Sequence, residues 1–162
     1  MPAGPFCGVC RWLELKVPPP VVALLLALAA WWVAPLGPAI AWPETLRQGL
    51  AGLLLATGVA LDFSGLLAFV RRHTTISPLS PRKSRALVTG GVYRFTRNPM
   101  YLGLACLLGA WALWLAALVP WAAPGLFVLY ITRFQIRPEE QVLTDVFGTS
   151  YTDYKRRVRR WL

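Results

Sequence analysis

Leu87-Val88-Thr89-Gly90-Gly91-Val92-Tyr93-Arg94-Phe95-Thr96-Arg97-Asn98-Pro99-Met100-Tyr101 opens the part of the chain that decides the fold, and Arg133-Phe134-Gln135-Ile136-Arg137-Pro138-Glu139-Glu140 closes it. Between the two, Asn98 to Thr132 carries no charge. As one straight helix that run would be about 50 Å long, against a hydrocarbon core of roughly 30 Å. Pro120 stands near its middle. The run is therefore expected to double back as a helical hairpin with arms near 99–118 and 121–136, Pro124 being tolerable in a first turn. Doubling back would set the tyrosine-bearing turn beside Glu139 and Glu140, on one side of a membrane.

Composition supports a membrane setting. Of 162 residues 56% are hydrophobic and only 15% charged, the mean hydropathy is +0.50, and the uncharged runs are long enough to cross a bilayer. These values point to an integral membrane protein of one domain. The net charge of +10 fits either nucleic acid or an anionic membrane surface. Its basic residues stand at the edges of apolar runs and no nucleic-acid reader module is present, so anionic inner-leaflet lipid is the expected partner and nucleic acid is not. Cys7 and Cys10 form a C-x-x-C. Without a second pair or a βαβ pattern they read as small residues of a tail, not as a redox or metal site. Cys106 reads as a packing residue. His73 is the single histidine, and no metal site is expected.

Taken in order, residues 1–16 form a tail or short interfacial segment, and residues 17–70 hold two spans. The first is centred on Val21 to Val33, with Trp31, Trp32 and Trp42 toward an interface and Pro35 and Pro38 bending or ending it. Ala27-Leu28-Ala29 resembles a signal-peptide cleavage site, but the apolar run continues well past it. Thr45 is a candidate cap for the second span, from about Gln48 to Val70. Asp62 interrupts that span; a carboxylate at such depth is expensive, and it reads either as a site residue or as a buried hydrogen-bond anchor close to the headgroups. Residues 71–98 form a basic loop without an acid, broken by Pro78, Pro81, Gly90 and Gly91. Residues 137–162 form an amphipathic helix or helix pair, with Leu143, Phe147, Tyr151, Tyr154 and Val158 at helical spacing and a break at Gly148. Four spans with the amino terminus inside leave every Lys and Arg except Arg47 on the inner side, as the positive-inside rule requires. The expected fold is thus an all-α, multi-pass inner-membrane protein with about four transmembrane helices and both termini cytoplasmic.

No Ser/His/Asp or Cys/His arrangement, phosphate loop or metal-ligand cluster can be assembled from these residues. What remains is Glu139-Glu140, placed by Pro138 in a first helical turn, where the positive helix end favours acids. It faces the corner Arg97-Asn98-Pro99. On spacing alone, two capped helix starts joined by an Arg–Glu pair account for the pattern as well as a site does.

The order of motifs adds a resemblance. Leu87-Val88-Thr89, Gly91-Val92-Tyr93 and Arg97-Asn98-Pro99-Met100-Tyr101-Leu102-Gly103 are followed by Glu139-Glu140-Gln141-Val142-Leu143 and Phe147-Gly148-Thr149-Ser150-Tyr151-Thr152-Asp153-Tyr154. With these, Ala86–Tyr154 resembles the isoprenylcysteine carboxyl methyltransferase family of membrane enzymes and the related phospholipid methyltransferases. The resemblance implies S-adenosyl-L-methionine as methyl donor, a donor pocket capped by the carboxy-terminal helix, and a lipid-borne or hydrophobic acceptor. Carried over by residue, the donor site comprises Arg85, Ala86, Leu87, Val88, Tyr93, Arg97, Asn98, Pro99, Met100 and Glu139. Gln135 and Arg133 fall to the acceptor, and Arg137 and Glu140 to catalysis. Two positions depart from the family. Its histidine is Asn98, which hydrogen-bonds but does not titrate near neutral pH. The arginine that contacts the acceptor in the eukaryotic enzymes is Gln135, between Arg133 and Arg137. Because such a donor is already activated, the protein need only align the reactants and exclude water. A carboxylate acceptor needs no base, whereas the proton of an amine would pass to Glu140; Glu139 would hold ribose hydroxyls or the donor's ammonium. Three other readings stay open: a methyltransferase of phospholipids, small amines or thiols; a nicotinamide-dependent membrane reductase; and a non-catalytic basic protein that binds anionic lipid or a partner.

Overall fold

The computed structural model describes residues 14–71 and 87–162. Within them the chain is helical, and its one piece of β pairing is an isolated bridge between Ala39 and Ala117. Helix α1, Pro19–Val33, starts on prolines, whose missing N–H groups need no partner in a first turn. Helix α2, Glu44–Arg71, begins one residue before the expected cap Thr45, which lies inside the first turn. Gln48 Nε2 instead donates to Glu44 Oε1 at 2.8 Å. The stretches Pro19–Leu36 and Glu44–Ala68 are long and apolar enough to cross a membrane. Leu24, Leu28 and Trp32 on α1, and Leu53, Val59 and Phe63 on α2, are exposed, an outer surface suited to lipid and not to water.

Helix α3, Pro99–Trp114, lies at the centre, with α2 on one side and α1 and α4, Ala122–Ile131, on the other. The apolar run does turn back, through Ala116 and a short 3-10 turn at Val119–Trp121 that holds Pro120. Its first arm ends at Trp114, short of residue 118, because other groups take over the last carbonyls. Arg47 Nη1 donates to the C=O of Leu113 and of Trp114, both at 2.9 Å, satisfying a helix end that favours positive charge. Beyond it the main chain pairs with the α1–α2 connection, Ile40 N–H to Ala116 C=O at 2.7 Å and Leu118 N–H to Pro38 C=O at 3.0 Å. Val22 and Ala30 of α1, Tyr101 and Leu108 of α3, and Phe127 and Ile131 of α4 form the core. Trp111 Nε1 donates to Ala27 C=O at 3.0 Å and fixes α3 against α1.

The other face of α3 meets α2 through glycine. A Cβ on Gly58 would lie 2.9 Å from the Gly103 carbonyl oxygen, one on Gly65 would lie 2.7 Å from Met100 Cγ, and one on Gly103 would run into Asp62. Such small residues let helix backbones approach where apolar burial gives no drive between spans. Asp62 thus faces the bundle interior, half-buried, and its Oδ1 has no hydrogen-bond partner.

Helix α4 runs on without a break through a π turn at Thr132–Ile136 into α5, Arg137–Phe147. Arg137 N–H bonds Thr132 C=O, one residue farther back than in an α-helix. Pro138 has no N–H, and in a regular helix its ring would press on the Phe134 carbonyl; the wider turn accommodates it. Gly148, at φ 55° and ψ −125°, ends α5 in a conformation open essentially to glycine alone, and α6, Thr149–Arg157, follows. Val158 is extended.

The close approach of α2 and α3 is directly testable. Gly103→Val should destabilise the fold by roughly 1–3 kcal/mol. Gly125→Ala, where a Cβ meets nothing within 4 Å, should be neutral or mildly stabilising. Thermal unfolding in detergent micelles measures both.

Candidate active site

Three pieces of chain meet at the amino-terminal ends of α3 and α5. The first is the corner before α3. Gly91 has φ +62° and opens a 3-10 turn, Gly91–Arg94, that buries Tyr93. Thr96, 1% exposed, accepts from Asn98 N–H at 3.2 Å through Oγ1. The second piece is the end of the π turn with the start of α5, which presents Gln135, Glu139 and Glu140. The third is α6 and the residues after it. Tyr154, buried on α6, donates its hydroxyl to Tyr93 C=O at 2.7 Å.

The two acids are treated differently. Glu139 Oε2 accepts the Tyr101 hydroxyl at 3.1 Å, and the wholly buried Gln135 also bonds Tyr101. Glu140 is clamped between two arginines. Arg160 grips it with a two-point fork, Nε to Oε1 at 2.9 Å and Nη2 to Oε2 at 2.8 Å. Arg97 Nη1 stands 3.0 Å from Oε1 as an ion pair, off the line of a hydrogen bond. The Arg97 side chain is only 10% exposed, and its Nε and Nη1 have no hydrogen-bond partner.

The electrostatics follow. Burial pushes Glu139 up to about 7; the Tyr101 hydroxyl works against that and the Glu140 charge adds to it. Burial raises Tyr93 further, assisted by Glu139 and Tyr154. Tyr154 is pushed up to about 12 by burial, against the nearby Arg97 charge. Tyr151 rises for the same first reason. The bond to Glu140 holds the Arg160 guanidinium above its ordinary range.

Of the residues singled out in the sequence, Tyr93, Arg97, Asn98, Glu139 and Glu140 come together here, with Val88 buried and Leu87 half-buried in the segment leading in. Pro99 and Met100 are turned toward Gly65 of α2. Arg133 points away: it pairs with Glu14 at 2.9 Å and lies over the Phe134 ring. Arg137 is exposed, on the rim of a groove of about 380 Å³ that Glu140, Thr144, Lys155 and Arg160 also line. Arg85, Ala86, His73, Cys7 and Cys10 lie outside the described residues. Sequence reasoning missed Thr96 and Arg160. Arg160 is the last cation of Lys155-Arg156-Arg157-Val158-Arg159-Arg160, and its neighbours Arg156, Arg157 and Arg159 are exposed. Nothing in the sequence sets it apart: Val158 continues the helical spacing, yet the helix ends at Arg157 and Val158 is extended, which corrects the expected helix to residue 162.

The sequence pattern of a family described as phospholipid methyltransferase matches residues 46–150. An uncharacterized protein of Haemophilus influenzae is 48% identical over 63 residues, 39% of this chain and the whole of that protein. Protein-S-isoprenylcysteine O-methyltransferase of Schizosaccharomyces pombe is 31% identical over 108 residues, 64% of this chain and 44% of that protein.

The state of Glu139 sets a pH dependence. A carboxyl raised above its ordinary value of 4.5 to about 7 stabilises the fold below pH 4.5 and loses that contribution as pH rises through 7. Glu139→Gln, which can still accept from Tyr101, should therefore gain stability relative to wild type between pH 5 and pH 8, by up to roughly 3 kcal/mol. Melting curves across that range check the sign.

Proposed function

Because this chain belongs to the phospholipid methyltransferase family, we propose that it is an integral membrane methyltransferase that uses S-adenosylmethionine and acts on a lipid-borne acceptor. The observation that carries this reading is the meeting of Arg97, Asn98 and Tyr101 with Glu139 and Glu140 at one end of a helical bundle. The groups there suit the donor. Arg97, buried and with its Nε without a hydrogen-bond partner, suits a carboxylate. Glu139 matches ribose hydroxyls or an ammonium, and the buried Val88 and Tyr93 make the segment beside it apolar and aromatic, as a purine requires. S-adenosylmethionine, when bound, supplies a methyl group already activated on a sulfonium sulfur.

The protein's own task is then placement and exclusion of water. Glu140, held by Arg97 and Arg160, keeps the Arg97 guanidinium in position. Glu139 is the acid of the pair suited to take a proton from an amine or thiol acceptor; a carboxylate acceptor needs no such step. Arg137, on the rim of the outer groove, is placed to meet an anionic part of the acceptor. The family's description names phospholipid and the Schizosaccharomyces pombe relative's name an isoprenylcysteine oxygen, so what they share is an acceptor carried in the bilayer. Charge bias supports four spans, with α3 and α4 as the second pair, the site on the cytoplasmic side of an inner membrane, and Arg156, Arg157 and Arg159 toward anionic lipid.

Purified protein in micelles should bind S-adenosylmethionine by calorimetry and pass a labelled methyl to a phospholipid or to a prenylated cysteine. Glu139→Ala should weaken donor binding by about tenfold or more. Folded protein that neither binds the donor nor transfers the label would sink the reading in favour of a non-catalytic protein that binds anionic lipid.

A further inference from the structure

The segment after α6 closes the site. From Val158 onward it runs extended past the corner before α3 and makes contacts in three directions. Toward the corner its backbone accepts: Arg159 C=O takes Arg97 N–H at 3.1 Å, and Arg160 C=O takes Asn98 Nδ2 at 3.0 Å and Thr96 Oγ1 at 3.3 Å. Toward α5 the Arg160 guanidinium forks onto Glu140. Toward the bundle Trp161 Nε1 donates to Thr132 Oγ1 at 3.2 Å in the π turn, and its ring packs on the core. A single residue, Arg160, thus fixes Asn98 through its carbonyl and Glu140 through its side chain.

Both grips restrict what the site can present. A carbonyl accepts only from the NH₂ end of an amide, so Asn98 is oriented with Nδ2 toward Arg160, and Oδ1 takes none of the bonds that hold the corner. The fork engages both oxygens of Glu140. Glu139 is held at one oxygen by the Tyr101 hydroxyl.

We propose that Arg160 is a positioning residue of the donor site: its fork onto Glu140 anchors the segment whose main-chain carbonyl turns Asn98, so that the amide oxygen is the end available to a ligand. The inference rests on the methyltransferase reading and names a determinant that reading did not contain. Arg160 acts on the donor site through Asn98, Glu140 and, by way of Glu140, Arg97.

The test uses the full chain in micelles with S-adenosylmethionine as probe. Arg160→Met should weaken donor binding about tenfold and raise the donor KM in step, with kcat within about threefold of wild type. Arg160→Lys, which keeps the charge but not the fork, should fall between the two. Arg157→Met, an exposed neighbour, should match wild type. A general packing role would lower the melting temperature without this KM-against-kcat split and without partial rescue by lysine. Donor affinity within twofold of wild type in a folded Arg160→Met protein overturns the inference and leaves the function standing. If Arg160→Met does not fold, Arg160→Lys decides, and unchanged donor binding there overturns the inference. Wild-type protein that takes no donor at all overturns the methyltransferase reading, and this inference falls with it.

Discussion

Two neighbouring carboxylates at the end of an apolar helix cannot both keep their charge without partners, and the rest of the structure is arranged around how that is resolved. Glu140 stays paired because two arginines reach it from distant parts of the chain. Among the described residues Glu139 is held by the Tyr101 hydroxyl and by no cation, and burial holds its proton to about 7. Breaking a buried pair by removing one partner is far more damaging than never having formed it. The hairpin, the corner before α3 and the segment after α6 are therefore bound to one another through Glu140.

This accounts for what was legible beforehand. The fold-back of 98–132 follows from bilayer thickness and Pro120, and the contact between Tyr101 and Glu139 bears it out. The position of Asp62 inside the bundle follows from the cost of its charge, but its seat against Gly103 does not, because which glycine faces which helix is a matter of register. The π turn was hidden for a related reason. Pro138 was readable as a helix start; that the preceding helix would widen to keep going depends on packing at Gln135 and Ile136, both buried. Thr45 shows the reverse error, a good capping residue passed over because the helix starts at Glu44.

The site was legible by motif and not by role. The resemblance gathered Tyr93, Arg97, Asn98, Glu139 and Glu140 into one place, and the bundle brings them there. It gave Glu139 to the donor and Glu140 to the proton; in the bundle Glu140 is held between two arginines and Glu139 against Tyr101. That division depends on Arg160, one cation in a run whose other arginines are exposed. A run of like charges carries no mark of which member turns inward; only the extended backbone at Val158 sets that.

The Ala39–Ala117 bridge gives the two ends of the bundle different chemistry. Away from the acids, the chain is joined by main-chain pairing and by Arg47 on open carbonyls. At the opposite end the joints are carboxylates. There a single guanidinium, Arg160 on Glu140, ties the segment after α6 to the hairpin, so one end of the molecule is laced by backbone and the other is clasped by charge.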